Sequence, residues 1–121
     1  KIVVINAPLY STGAIPANNE AFAKLSKLFE DYKVKLVLQG NAADYERTFP
    51  MWRGEPNQRG VVYMTLGGGG AQPQKRASSD ASTARYVAAY HYAQGKIVDR
   101  KMTVKVYDQG DKLLDTVELY L

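Results

Sequence analysis

The sequence predicts an α/β fold, a strand-helix-strand unit joined to an antiparallel meander in a mixed sheet. Three observations carry this. A short β-branched run, Ile2 to Ile5, is followed by one amphipathic helical stripe and a second apolar run, Val34 to Leu38. Met102, Val104 and Val106 alternate with Lys101, Thr103 and Lys105, the period of a one-sided strand. Val117, Leu119 and Leu121 repeat that alternation after a Gln109-Gly110-Asp111 turn. At 121 residues the chain is expected to form a single domain, 1–121, with enough material for a core.

Ile2 to Ile5 is continuously apolar, which predicts a strand buried on both faces, as in a parallel sheet. Pro8, Gly13 and Pro16 make residues 7–17 a loop. Asn18 or Asn19 is a suitable N-cap, and Glu20 suits the positive end of a first helical turn. Phe22, Leu25, Leu28, Phe29 and Tyr32 then recur at helical spacing, with Lys24, Lys27, Glu30 and Asp31 off the stripe, and the helix is expected to end near Tyr32-Lys33. Two neighbouring parallel strands would carry Asn6 and Asn41 just beyond their carboxyl ends, the edge where ligand sites sit in such sheets.

Residues 49–59, with Pro50, Gly54, Pro56 and Asn57, read as a loop, and Val61 to Leu66 as a third strand. Residues 67–85 are rich in Gly, Ser, Ala and Gln and are the best candidate for mobility. Tyr86 to Val98 reads as one strand, with Gly95 a candidate bulge.

Composition narrows the function classes. Without cysteine there can be no disulfide, thiolate nucleophile or Cys-ligated zinc. No apolar run approaches the ~20 residues of a membrane helix. The net charge of +4 is spread over scattered Lys and Arg, with no basic run to mark a nucleic-acid site. The expected partners therefore include neither nucleic acid nor membrane.

Gly40-Asn41-Ala42-Ala43-Asp44-Tyr45-Glu46-Arg47-Thr48 is the most informative stretch. It resembles the segment Gly-His-x-His-x-Tyr-Glu-Arg-Thr of the calcineurin-like metallophosphoesterases, most closely the purple acid phosphatase branch. Asn41 and Ala43 stand where that pattern has metal-binding histidines. Lys1 to Ser11 resembles a strand followed by Gly-His-His-Pro-Leu-Tyr-Ser; Pro8, Leu9, Tyr10 and Ser11 are kept, with Ile5, Asn6 and Ala7 before them. Asn6 takes the place of a metal-ligand histidine and Ala7 that of a histidine assisting the leaving group. Residues 60–71 resemble the family's strand and glycine-rich loop, and Tyr90-His91-Tyr92 begins a fourth match. The resemblance implies half of an α/β/β/α sandwich, the C-terminal half. The family uses two metal ions about 3.5–4 Å apart to activate water and clamp the phosphoester. Its remaining ligands belong to an N-terminal half, to which no part of this sequence corresponds. The chain thus reads as an excised, processed or engineered piece.

An alanine offers no lone pair, and an amide oxygen is a weaker ligand than imidazole. No catalytic residue, no metal ligand and no cofactor are therefore assigned. Arg47, with Tyr45 beside it, is a candidate to bind an anion in a bidentate fork, or to pin its loop by pairing with Glu46 or an Asp. Asp44 reads as a turn residue. His91, the only histidine, is a candidate ligand or general acid, or an ordinary strand residue. The glycines at 67–70 lack the Lys-Ser/Thr and following helix of a phosphate loop. Trp52, Phe49, Tyr10 and Tyr45 read as loop aromatics that could stack on a ligand ring or cap the core edge.

Three functions remain open: a non-catalytic half-domain, engineered or degenerate; an enzyme fragment active only with a missing half; and a phosphate- or anion-binding module. One half alone would leave an apolar sheet face bare, so a homodimer or a missing N-terminal half-domain is the expected partner. Met102, Val104, Val106, Val117 and Leu119 are the expected contact residues.

Overall fold

A computed structural model describes residues 1–121. The elements are β1 (Ile2–Ile5), α1 (Asn19–Asp31), β2 (Leu36–Gln39), β3 (Tyr45–Thr48), β4 (Met51–Trp52), β5 (Glu55–Pro56), β6 (Val62–Leu66), β7 (Thr83–Val87), β8 (His91–Val98), β9 (Lys101–Asp108) and β10 (Leu113–Tyr120). They make three layers: a helix, a mixed five-stranded sheet and a three-stranded antiparallel sheet. The mixed sheet has the order β1-β2-β6-β3-β7. β1, β2 and β6 run parallel, and β3 runs antiparallel to both β6 and β7. The second sheet has the order β10-β9-β8, and β4 and β5 form a small hairpin.

Helix α1 starts as its sequence predicts. The Asn18 side chain accepts the Ala21 N–H at 2.9 Å, satisfying one of the unpaired donors of the first turn. It ends in a Schellman arrangement, with Val34 N donating to Phe29 O and Lys33 N to Glu30 O, and Lys33 at φ 54°. Phe22, Leu25 and Phe29 pack on Leu9, Val34, Val37, Met51, Val61 and Tyr63, the core on the helix side of the sheet. The stripe is narrower than predicted. Leu28 and Tyr32 are exposed at its rim, while Glu30, expected off the stripe, is buried and accepts the Arg53 N–H at 2.7 Å.

On the opposite face, Leu36, Tyr45, Val62 and Met64 meet Met102, Val104 and Val106. The fold class is the α/β one that the sequence predicts, with a mixed sheet, and the antiparallel meander forms a second sheet laid across it. Met102, Val104 and Val106, expected at a dimer contact, are buried inside their own chain, and Val117 and Leu119 pack against the same cluster. One-sided alternation means that one face is covered; the cover here is the chain's own mixed sheet.

β1 is an edge strand rather than a strand buried on both faces. Val3 and Ile5 face the helix core, but Val4 is 75% exposed and Ile2 38%, because the second sheet does not reach them. Residues 86–98 hold two strands, β7 and β8, in different sheets. The chain crosses between layers at residues 88–90. The β8–β9 register runs unbroken through Gly95↔Val104, so Gly95 is no bulge. Irregularities fall instead between Leu113 and Asp115 and between Arg47 and Thr48. The predicted loop at 49–59 contains the β4–β5 hairpin, turned by Arg53 and Gly54 at φ 52° and 81°. Tyr45 and Trp52, read as loop aromatics, lie on β3 and β4.

Candidate functional site

Parallel pairing of β1 with β2, and of β2 with β6, brings the chain ends after Ile5, Gln39 and Leu66 to one sheet edge. Gly40 N donates to Ile5 O at 3.1 Å. A Cβ at Gly40 would lie 3.0 Å from Asn6 Oδ1, so Asn6 and the Gly40–Asn41 turn are in contact, as the strand topology predicts. Asn41 sits at φ 62°, a left-handed conformation that asparagine tolerates better than most residues. A depression of about 390 Å³ opens beside it, lined by Ile15, Asn41, Ala42, Ala43, Gly67, Ala71, Gln72 and Gln74. None of these side chains ionises. Nowhere in the structure do three His, Asp or Glu side chains converge as a metal would need. The donors at this edge are amides and backbone carbonyls, so the residues present do not fit a two-metal centre.

The retained Tyr45-Glu46-Arg47-Thr48 segment is strand, so its side chains alternate between two faces. Tyr45 and Arg47 point toward the second sheet. Arg47 Nε donates to Asp115 Oδ2 at 2.7 Å, Nη2 donates to Oδ1 at 3.4 Å, and the Tyr45 hydroxyl donates to Oδ2 at 2.7 Å. The Tyr45 hydroxyl is held well above its usual pKa by burial and then by Asp115. Burial alone raises the Asp115 carboxyl, but the hydrogen bonds from Arg47 and Tyr45 outweigh it and leave it below the ordinary aspartate value. Both residues proposed for anion binding are thus engaged by a carboxylate of their own chain.

Glu46 and Thr48 serve the other face. Glu46 Oε2 accepts the Thr12 N–H at 2.8 Å, and Oε1 accepts the Thr12 and Thr83 hydroxyls, each at 2.7 Å. Thr48 Oγ1 accepts the Tyr63 N–H at 3.1 Å. Gln39 completes this polar layer. Its Oε1 accepts the Leu9 N–H at 2.9 Å, and its Nε2 donates to Tyr10 O at 2.7 Å and Thr65 Oγ1 at 2.9 Å. Gln39 and Glu46 therefore set the path of the Leu9–Thr12 loop.

Asp44 is buried, not a surface turn residue. Its Oδ2 accepts the Tyr86 hydroxyl at 2.9 Å, and its Oδ1 has no hydrogen-bond partner. Burial raises its pKa, with Glu46 adding to the rise, against the lowering effect of the Tyr86 bond and of His91. The segment expected to be mobile is strapped over this layer. Gln74 N donates to Ala43 O at 3.2 Å, and Ala77 N and Ser78 N donate to Thr12 O at 2.8 and 3.0 Å. Arg76 Nε donates to Thr12 Oγ1 at 2.9 Å.

His91 is buried. Its Nδ1 lies 2.8 Å from Ala89 O and its Nε2 accepts the Gly68 N–H at 3.4 Å, which assigns the proton to Nδ1. The first two glycines of the run are sterically required, while Gly69 and Gly70 face open space. A Cβ at Gly67 would fall 1.5 Å from Ala42 O, and one at Gly68 2.1 Å from His91 Nδ1.

Sequence reading missed Thr12, Gln39, Asp44 and Asp115 as members of these polar clusters. The alternation of Asp44, Glu46 and Thr48 against Tyr45 and Arg47 was the available signal.

No protein-family model and no curated protein matches the sequence. Among solved structures, purple acid phosphatase PPD1 from yellow lupin (Lupinus luteus) seeds superposes with a TM-score of 0.84 at 17% identity, over 98% of this chain and 24% of that one. GAP50 of Plasmodium, described as the anchor in the inner membrane complex, superposes with a TM-score of 0.82 at 17% identity, over 98% of this chain and 36% of that one. The chain therefore has the fold of part of a calcineurin-like metallophosphoesterase, and it spans about a quarter to a third of the length of these structures.

Proposed function

We propose that this chain is a non-catalytic domain, a metallophosphoesterase-like scaffold that presents surfaces to a partner and does not itself hydrolyse phosphoesters. One observation carries the reading. Every polar side chain of Tyr45-Glu46-Arg47-Thr48 is used in holding loops and sheets together. The positions that match the family's metal ligands hold Asn6, Asn41 and Ala43, and the one that matches its leaving-group histidine holds Ala7. What this chain shares with the family pattern is architecture, and what it lacks is donor chemistry. The likeness to a structure described as an anchor is in keeping with a structural role for this fold. The test is elemental analysis of the purified chain together with turnover of a chromogenic phosphate monoester. Stoichiometric zinc, iron or manganese accompanied by turnover refutes the proposal.

Edge strand β1 supports self-association as the partner mode. Its outer backbone groups are unpaired within the chain, and Ile2 and Val4 stand exposed beside them. A second copy pairing along β1 would cover both. Light scattering that gives the mass of one chain, 13.4 kDa, at all concentrations rules the dimer out.

A further inference from the structure

A further cavity lies at the opposite end of the strands from Asn6 and Asn41. It is a groove of about 710 Å³ where β2 and β6 begin, within the 300–1,000 Å³ range usual for small-ligand sites. Trp52 of β4 forms part of its lining and is half-buried. Lys33, Lys35 and Arg59 surround it, and none of the three makes an ion pair. Of the two acids at the groove, Asp31 pairs with Lys27, while Glu30 accepts the Arg53 backbone N–H and keeps its charge, leaving three cations against one carboxylate. The open charge at the groove is therefore positive.

The backbone adds a second, independent observation. Lys33 holds the left-handed position that closes α1, at φ 54°, where glycine is the unstrained choice. That conformation, which Asn41, Arg53, Asp99 and Asp111 also adopt, sets where the Lys33 side chain leaves the helix end beside the groove.

We propose that this groove binds a small phosphate monoester carrying a flat heterocycle, a ligand of mononucleotide size. The ring packs against Trp52, as aromatic faces do with bases. Arg59 takes the phosphate in its guanidinium fork, and Lys33 and Lys35 supply point charges beside it. The site uses none of the residues at the Asn6–Asn41 edge, so it stands or falls independently of the scaffold reading.

Trp52 is the only tryptophan of the chain, so its fluorescence reports on the groove directly. The intact chain is titrated separately with adenosine monophosphate, adenosine and inorganic phosphate. Saturable quenching by the monophosphate is expected, with adenosine and phosphate each at least ~10-fold weaker, because each keeps half of the recognition. The variant K33Q/K35Q/R59Q should weaken monophosphate binding by ~10-fold or more. Lys33→Gly gives a control for misfolding: it removes a charge and the strain together, so binding falls while the melting temperature holds or rises. Absence of saturable quenching up to ~10 mM overturns the proposal. So does quenching by phosphate alone at equal affinity, or unchanged binding by the triple variant. A single-stranded oligonucleotide that binds more tightly than the monophosphate also overturns it, by assigning the groove to a macromolecule.

Discussion

Replacing Asp115 by alanine removes the carboxylate that ties β3 to the second sheet. Arg47 then keeps its charge with no counter-charge, and the Tyr45 hydroxyl loses its acceptor. The two charged side chains are 17% and 13% exposed, so the pair is mostly but not wholly desolvated. Breaking one side of a buried pair costs about 3–5 kcal/mol, and residual solvent access places this case near the lower end, about 3 kcal/mol. The stranded Tyr45 hydroxyl adds about 1 kcal/mol. At about 4 °C per kcal/mol for a chain of this length, the melting temperature should fall by roughly 12–16 °C. Removing both partners tells a different story. Arg47→Met with Asp115→Leu leaves no buried charge, so the double variant should recover about 2 kcal/mol relative to the sum of the single losses. The pH dependence has a fixed sign. A carboxylate with a depressed folded pKa contributes its stability above the unfolded value, about 3.9, and loses it as pH falls through the folded one. The gap between wild type and D115A should therefore be full at pH 5–7 and narrow below pH ~4. Urea titrations of wild type, D115A, R47M, D115L and the R47M/D115L double variant across that range provide the assay. A loss below ~1 kcal/mol for D115A, with strict additivity in the double variant, refutes the idea that this pair clamps the layers.

Asp44→Asn should raise stability at pH 7 by about 1 kcal/mol, since it neutralises a buried carboxylate with one unpartnered oxygen. The sign is opposite to that of Asp115. A raised folded pKa means that wild type gains stability as pH falls from that value toward ~3.9, and the variant should lack this gain in urea melts from pH 8 to 4. Gly67→Ala should cost more than ~3 kcal/mol or abolish soluble expression, because its Cβ meets a backbone carbonyl; Gly69→Ala, with open space, should stay within ~0.5 kcal/mol by thermal melt. The Asn6→His, Asn41→His, Ala43→His variant should bind fewer than two metal ions per chain, since no carboxylate lines that edge. Calorimetric titration that finds two ions at micromolar affinity contradicts this.

Elements with one dominant period were legible in the sequence. α1 had a cap and an apolar stripe, β1 and β2 were apolar runs, and β9 and β10 alternated. The convergence of Asn6 and Asn41 followed from the rule that parallel strands deliver their following loops to one edge. β3 was not legible because four polar or aromatic letters read as site chemistry rather than as a two-faced strand. The cover over the meander was not legible because alternation states that Met102, Val104 and Val106 are covered, not what covers them. The Glu46 layer depends on partners 34 and 37 residues away, Thr12 and Thr83, which no local pattern links. Basic groove residues 33, 35 and 59 looked scattered for the same reason; only the fold gathers them around Trp52.

The place of β3 in the sheet has a consequence for how the chain can be assembled. It lies between β6 and β7, both of which follow it in sequence. Its buried polar ends close still later: Tyr45 and Arg47 find Asp115 70 and 68 residues downstream. Emerging from a ribosome, Tyr45 to Thr48 must wait through most of the remaining synthesis before its charges and hydroxyls are paired. Such long-range closure favours one late, cooperative step over stable early pieces. A chain ending at residue 112, without β10, should therefore remain largely unfolded by circular dichroism, and native-like melting of that truncation contradicts this order of events. The strand that carries the family's most legible letters is the one the rest of the molecule must arrive to complete.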